Sequence, residues 1–408
     1  MKILVLNPGS NSLKFELIEA EPSEDSGFGS ILITGAYDDI GKEHSSFSIG
    51  PNRSTRKERK LRAQDHGHAT ELLFEWIEQN RGPDNPIRDL SDLGAIGCRV
   101  VHGADRFDGP AELTDDVIGE VEALEDLAPL HNKSALKVIR TARERVKDRI
   151  PMIGVFDTAF HRTIPERAAL YGLPLELARK HKIRRYGFHG ISHRYMMLRY
   201  AQLVGKQASE LTLITLHLEG GSSVAAIRRG NSADTSMGFT PLEGLMMSTR
   251  SGDLDPAIVT YLMRKENWTN NDVEQFLNRK CGLLGVSDVA GDTRVLRDRL
   301  SESAVNLAID SFCYRVCKYI GAYLAALGGA DAIVAGGGIS ENTPFVRERI
   351  FEDFDWCGAI LDRDRNANTV DLEAPITTPE SRLPVWVVPA QEGLMIAKET
   401  ADYLNKNS

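Results

Sequence analysis

The chain is poor in cysteine: five occur among 408 residues (Cys98, Cys281, Cys313, Cys317 and Cys357), scattered and odd in number. That excludes a disulfide-built scaffold and fits a reducing compartment. Cys313 and Cys317 lie one helical turn apart, but no histidine stands near them at ligand spacing, so they read as core residues. Long apolar runs are missing too. Ile3–Leu6 is too short for a secretory signal, and nothing approaches the roughly 18 apolar residues of a membrane span. A cytoplasmic protein is the expectation. Surplus positive charge is absent: the net charge is −9, which argues against nucleic-acid or membrane-surface binding. No GxxxxGK[ST] sequence occurs, which excludes a P-loop enzyme, and no GxSxG elbow occurs for a serine hydrolase. The remainder, 42% hydrophobic and 26% charged, is a globular composition long enough for two or three domains.

Strand and helix patterns alternate along the chain. Ile3–Leu6 and Leu13–Ile18 read as strands joined by the turn Asn7–Ser12. Residues 19–30 and 51–66 are polar and read as loops. Ala69–Asn80 has an amphipathic helical pattern, Leu93–Val101 reads as a buried strand, Asn132–Val146 as a helix and Met152–Phe156 as a strand ending at Asp157. A second block repeats the opening: Leu211–Leu218, the turn Glu219–Ser223 and Val224–Arg228 again read strand, Gly/Ser turn, strand. Ala332–Ala335 then runs into the glycine-rich turn Gly336–Asn342. Leu300–Leu327 is a long helical pattern, Val385–Pro389 a strand and Glu392–Leu404 a closing helix. The repeated unit indicates a duplicated α/β architecture.

The turns carry the chemistry. In Asn7-Pro8-Gly9-Ser10-Asn11-Ser12-Leu13-Lys14, glycine allows close approach of backbone to a phosphate. Successive amides and the Ser10 and Ser12 hydroxyls can cradle anionic oxygens, and Lys14 adds a point charge. Taken alone, the segment reads more readily as a polar hairpin turn. Arg99 ends a strand in Arg99-Val100-Val101-His102-Gly103, where a guanidinium can fork onto carboxylate or phosphate. Asp157 ends another, in Phe156-Asp157-Thr158-Ala159-Phe160-His161. Tyr186–His193 carries His189 and His193 among two glycines. The run Asp234–Pro256, rich in Gly, Ser, Thr and Met, has little periodicity and reads as a functional surface loop offering one arginine, Arg250.

In this order, NPGSNSLKF, RVVHG, APLHN, FDTAFH, RRYGFHGISH, DTSMGFTPLEGLMMSTRSGDLDP and GGGISEN resemble the motifs of the acetate kinase family from Val5 to Glu392. The resemblance implies the fold of the acetate and sugar kinase, actin and heat-shock chaperone ATPase superfamily. That is a duplicated two-domain, actin-like ATPase (ribonuclease H-like) α/β architecture around a central cleft. Laid on this chain, it gives an N-terminal acyl-kinase domain of residues 1–157 plus 390–408 and a C-terminal nucleotide-binding and dimerisation domain of residues 158–389. The implied activity is reversible phosphoryl transfer from ATP to acetate, giving acetyl phosphate, with Mg2+ (or Mn2+) as cofactor, by a homodimer without nucleic-acid or membrane partners.

Residue roles follow by the same resemblance. Asn7 and Glu392 hold magnesium, partly through water. Ser10, Ser12 and Lys14 form the phosphate turn. Arg99 and Arg250 grip the acyl substrate and the transferring phosphoryl. His131 lies on the substrate side, His189 beside the transferring group, and Asp157 is the essential aspartate. Val101, Leu130, Phe188 and Pro241 wall the methyl pocket. His217, Leu218, Glu219, Gly220 and Gly221, then Asp292, Thr293 and Arg294, then Gly338, Ile339, Ser340, Glu341 and Asn342 belong to nucleotide-binding segments.

Phosphoryl transfer needs in-line positioning and positive charge around the equatorial oxygens. Arg99, Arg250, His189 and magnesium would supply these, in one direct step without a phospho-enzyme. A carboxylate acceptor is already ionised at neutral pH, so Asp157 is expected to orient Arg99, magnesium or a water. Two departures stand out. The family's second phosphate turn reads His-Leu-Gly-Asn-Gly-Ala-Ser, where this chain has His217-Leu218-Glu219-Gly220-Gly221-Ser222-Ser223. Ser340 also stands at a usual glycine. Glu219 either turns to solvent or pairs with Arg228 or Arg229, or it marks a changed donor such as pyrophosphate or a weakened nucleotide site, or the chain is a catalytically weakened sensory relative. Acetate is the expected acceptor, with propionate or another short-chain acid as the alternative.

Overall fold

The run KILVLNP forms β1 (Lys2–Pro8), buried at nearly every position. Residues of both parities are covered, as in a central strand packed on both faces. In the computed structural model, the described residues are 1–20, 27–52, 55–80, 86–87, 89–125, 132–147 and 149–407. The chain divides into two units, Met1–Ala159 with Gln391–Ser408, and Phe160–Ala390.

In the first unit β1 is joined by β2 (Leu13–Glu19), β3 (Ser30–Asp38), β4 (Ser46–Gly50), β5 (Lys57–Lys60), β6 (Leu93–Val100), β7 (Ala111–Glu112) and β8 (Met152–Phe156). The order across the sheet is β5-β4-β3-β2-β1-β6-β8-β7. In the second unit β9 (Thr212–Leu218), β10 (Ser222–Arg228), β11 (Asn231–Thr235), β12 (Ala332–Gly336), β13 (Ala374–Pro375) and β14 (Val385–Val387) take the order β11-β10-β9-β12-β14-β13. The two sheets share one topology. The series β3-β2-β1-β6-β8 is paired antiparallel, antiparallel, parallel, parallel. The series β11-β10-β9-β12-β14 repeats it step for step. The duplicated architecture expected from the repeated turns is therefore present in the strand order.

This topology positions the chemistry. Parallel neighbours end together, and α/β sheets bind ligands outside the carboxyl ends of their strands. In the first unit β1, β6 and β8 bring Asn7, Arg99 and Asp157 to one sheet end. In the second, β9 and β12 bring His217 and Gly336 together, paired in register.

Local expectations differ in detail. Asn7 and Pro8 pair with Lys14 and Leu13, so the first turn shrinks to Gly9–Ser12. The Gly9 amide donates to the Ser12 carbonyl at 2.8 Å, and His66 Nε2 donates to the Gly9 carbonyl at 2.9 Å. The first helix is His66–Gln79, starting ahead of the expected Ala69 because the Asp65 side chain caps it at His68 N. The reading of residues 51–66 as loop is corrected: KERK is β5, exposed throughout. Its charges suit an edge strand that must not recruit another chain, and they conceal it from a pattern search. Asp234–Pro256 is not a surface loop either. Met237, Leu245 and Met247 are fully buried, so its methionines are core. Arg185 holds its start, donating to the Thr235, Ser236 and Met237 carbonyls and to Glu243 at 2.6 Å. Asp253 holds its end, accepting from Gly244 N at 2.9 Å and Tyr319 OH at 2.7 Å.

In the second unit the helix Ser303–Leu327 buries Phe312, Val316 and Ile320 against Leu216 and Val224, and Gly328 ends it at φ 74°. In the first, the helix Glu392–Asn407 packs on β1 and β6. There the fit is tight at Gly97, where an added Cβ would stand 2.6 Å from Thr400 Oγ1 and 2.9 Å from Ile396 Cγ2. Gly97→Ala is therefore expected to destabilise this unit by about 1–3 kcal/mol, measured as a lower urea midpoint. A Gly97→Ala, Thr400→Gly double variant should recover less than the full loss, because Ile396 still obstructs.

Candidate active site

At the sheet end of the first unit four polar side chains form one chain. Asn7 Nδ2 donates to Glu392 Oε2 at 2.7 Å, Arg99 Nη1 donates to Asn7 Oδ1 at 3.2 Å, and Arg99 Nη2 donates to Asp157 Oδ2 at 2.7 Å. Asp157 is fully buried and the Arg99 side chain 14% exposed. The carboxylate thus aims the guanidinium and neutralises part of its charge. Lys14 lies across the strand pair from Asn7 and is exposed, as is Ser10, while Ser12 is half-buried. Val101 lies just beyond the end of β6 and is buried. Leu130 and His131 lie outside the described residues.

In the second unit a cavity of about 790 Å3 is lined by Glu219 and Gly220, by Asp292, Thr293 and Arg294, and by Gly338, Ile339 and Asn342. Three sequence-predicted segments thus meet on one space. Ser248, Thr249, Gly291 and Thr343 also line it. They were not singled out, although the first two belong to the Asp234–Pro256 run and the others adjoin predicted segments. Ser340 and Glu341 do not line it. Glu341 is buried and accepts from Gly337 N at 2.7 Å and Ala390 N at 2.8 Å, fixing the glycine turn from behind. Ser340 is fully buried, so its hydroxyl does not narrow the cavity. Leu218 is buried too, its backbone under Gly337.

The cavity's charged lining is Glu219, Asp292 and Arg294. Arg294 is held by Asp292 through Nη2–Oδ2 at 2.7 Å and Nε–Oδ1 at 3.1 Å, and this contact draws the Asp292 carboxyl below the usual range. Glu219 Oε2 stands 3.6 Å from His217 Nε2. The pairing of Glu219 with Arg228 or Arg229 is not adopted. Arg228 Nη2 donates to the Ala326 and Leu327 carbonyls, and Glu219 extends over Gly338, whose added Cβ would lie 3.9 Å from its Cγ.

Beside Gly221 lies a second concentration of groups. A Cβ added there would stand 3.3 Å from Arg250 Nη1 and 3.5 Å from His189 Nε2. Arg250 Nη1 donates to the Pro241 carbonyl at 3.3 Å and touches Met247 Sδ at 3.7 Å. Among the described residues it meets no carboxylate, and burial pulls its pKa down. His189 is held at φ 57°, ψ 23° at the start of the helix Gly190–Val204, a left-handed conformation that costs a non-glycine residue energy and clusters at functional sites. Its ring lies 4.2 Å from that of His217. Phe188 is buried below it.

A profile of the Acetokinase family matches residues 2–398. The chain belongs to the acetokinase family. It is 45% identical over 406 residues to the acetate kinase of Solibacter usitatus, covering 98% of this chain and 97% of that one. It is 43% identical over 405 residues to that of Carboxydothermus hydrogenoformans, with 98% and 99% coverage. Among solved structures it resembles the acetate kinase of Porphyromonas gingivalis (TM-score 0.89, 38% identity, 99% of both chains). It also resembles a propionate kinase from Francisella tularensis (TM-score 0.87, 34% identity, 98% of both chains). The actin-like fold of the family agrees with the duplicated sheets.

Two buried histidines, His161 and His193, give the second unit a pH signature. Burial lowers the His161 pKa to about 4 and that of His193 well below its ordinary value. Both are depressed bases, so the unfolded chain binds more protons than the native one below about pH 6.5. Their contribution is complete above that pH and is lost as pH falls toward 4. The urea midpoint of the second unit should fall across this window. A His161→Gln variant, less stable at pH 7, should lose less over the same interval.

Proposed function

We propose that this acetokinase-family chain transfers a phosphoryl group reversibly between ATP and acetate, giving acetyl phosphate, in one direct step. The observation that carries the reading is the Arg250 guanidinium beside His189 Nε2 at Gly221, a half-buried positive charge lacking a carboxylate among the described residues. Such a charge is costly alone and is repaid by an anion. In phosphoryl transfer it would stabilise the equatorial oxygens in the transition state. The cavity of the second unit is assigned to the nucleotide. Arg99, aimed by Asp157, is assigned to the acceptor carboxylate or the transferring group, with Val101 of the same unit as an apolar contact of the acyl group. An ionised acceptor needs no base, and Asp157 already spends Oδ2 on Arg99, which supports a positioning role.

Magnesium fits the donor set. Asn7 offers an amide oxygen and Glu392 a carboxylate, and Mg2+ commonly binds through one or two such oxygens, waters and substrate phosphates. When bound, it would neutralise donor phosphate charge. The need is acute in this chain, because the charged cavity lining of Glu219, Asp292 and Arg294 is net negative. A homodimer and a cytoplasmic location belong to the same reading. They are supported by family membership, and among the described residues no helix is long and apolar enough to cross a membrane.

Glu219 supports a second reading of the donor. A carboxylate about 4 Å from a phosphate charge costs roughly 4 kcal/mol per pair at an effective dielectric near 20, less where water screens it. A smaller donor such as pyrophosphate is the alternative. Purified protein should form acyl phosphate from acetate with ATP and Mg2+, faster than from propionate. Greater activity with pyrophosphate would overturn ATP as donor. A Cβ at Gly220 would meet only Ser248 Oγ at 3.9 Å, so Glu219→Gly, Gly220→Asn should fold normally. It should lower the KM for ATP about fivefold; an unchanged KM would show that the turn does not govern donor affinity. Asp157→Asn should lower kcat at least about a hundredfold, and near-normal turnover would remove any essential role for it.

A further inference from the structure

Beneath His189 runs a closed line of buried side chains that the reaction does not itself require. Thr215 Oγ1 lies 2.7 Å from His193 Nδ1, His193 Nε2 lies 2.8 Å from Ser223 Oγ, and Ser223 Oγ lies 2.9 Å from His189 Nδ1. Thr215, His193 and Ser223 are fully buried. Each hydroxyl has one proton to give, and a neutral imidazole donates from one nitrogen and accepts at the other. Burial and the neighbouring His161 and His217 keep His193 neutral.

Three proton arrangements satisfy these contacts, because a hydroxyl oxygen can accept twice. In one, Thr215 donates to His193 Nδ1, His193 Nε2–H donates to Ser223, and Ser223 donates to His189 Nδ1. In the second every bond is reversed, and the Thr215 hydroxyl proton points at nothing, because His193 is its sole partner among the described residues. In the third, Ser223 accepts from both His193 Nε2–H and His189 Nδ1–H, and its own proton points at nothing, because these two rings are its hydroxyl's partners among the described residues. A buried donor left unpaired is costly, so the first arrangement is favoured. It makes His189 Nδ1 an acceptor and puts the ring proton on Nε2, the ring nitrogen that faces Gly221, 3.5 Å from where a Cβ there would stand.

We propose that Thr215, His193 and Ser223 are positioning residues that fix His189 as the Nε2–H tautomer, so that a neutral ring presents a hydrogen-bond donor to the anion held beside Arg250. The direction of the line is set at Thr215, in the middle of β9 and remote from solvent. The catalytic consequence rests on the phosphotransferase reading above; the tautomer does not. The groups facing His189 are His217 on β9 (with Glu219 3.6 Å beyond it), Arg250 from the 236–255 segment and Ser223 on β10. His193 is reached through Ser223.

The direct test is long-range 1H–15N NMR of the 15N-histidine-labelled full-length protein at pH 7.5, with His189 assigned by a His189→Asn control. The expected result is a proton on Nε2 and none on Nδ1. A proton on Nδ1 would overturn the proposal whatever the turnover assay gives. The isosteric Thr215→Val removes the anchor, so His189 should become a mixture of tautomers. kcat should fall about tenfold while both KM values stay within about twofold, and Thr215→Ser should restore both signals. If Thr215→Val leaves the His189 spectrum unchanged, Thr215 does not set the direction. If the spectrum shifts but kcat does not, the tautomer is set as proposed and the catalytic consequence is overturned.

Discussion

The second unit is organised around the cost of holding the Arg250 guanidinium half-buried without a carboxylate partner among the described residues. A protein tolerates that cost where the surrounding chain cannot relax to expose or pair the charge. The segment from Ser236 to Asp255 provides this constraint. Arg185 and Glu243 hold its beginning, Asp253 and Tyr319 its end, and Met237, Leu245 and Met247 sink into the core between them. What looks like an irregular loop is a rigid bracket that keeps one positive charge at Gly221. A side chain at Gly221 would grow into the space where Arg250 and His189 converge, its Cβ already 3.3 Å from Arg250 Nη1.

The first unit treats its arginine differently. Arg99 is aimed by Asp157 and also donates to Asn7, which in turn reaches Glu392. One arginine is neutralised in place and one is not. A paired arginine keeps its direction but loses field strength, which suits holding a substrate. An unpaired one keeps its field, which suits charge that grows in a transition state. The difference follows from where each side chain sits: Arg99 beside the end of β8, which supplies Asp157, and Arg250 in a segment that turns its carboxylates, Glu243, Asp253 and Asp255, toward Arg185, Tyr319 and the Ala257 amide.

Much of this was legible in the sequence. Central strands such as β1, β9 and β12 are short apolar runs ending in polar turns, so their position and the duplication could be read directly. The positions of Asn7, Arg99 and Asp157 at strand ends follow from the same runs. Other features were hidden for physical reasons. KERK has the composition of a loop because an edge strand needs charge, not apolar alternation. The methionines of the 236–255 segment gave no periodicity because irregular backbone buries side chains without a repeat. Ser223 was legible only as the end of the second turn, and Thr215 gave no signal: their roles depend on His193 crossing from a helix to meet two strands, which only the packed structure supplies. Glu219 was visible as a departure; of its two simplest outcomes, exposure to solvent holds, while pairing with Arg228 fails because that side chain is drawn to the carbonyls ending the helix Ser303–Leu327.

Replacing Arg250 by glutamine tests the account most directly, with kcat and both KM values measured under saturating Mg2+. If the unneutralised guanidinium serves charge that develops during transfer, kcat falls by about a hundredfold or more while the KM values move only a few-fold. An Arg250→Gln enzyme with unchanged kcat and raised KM would contradict it, showing that the charge holds the ground state and transition state alike.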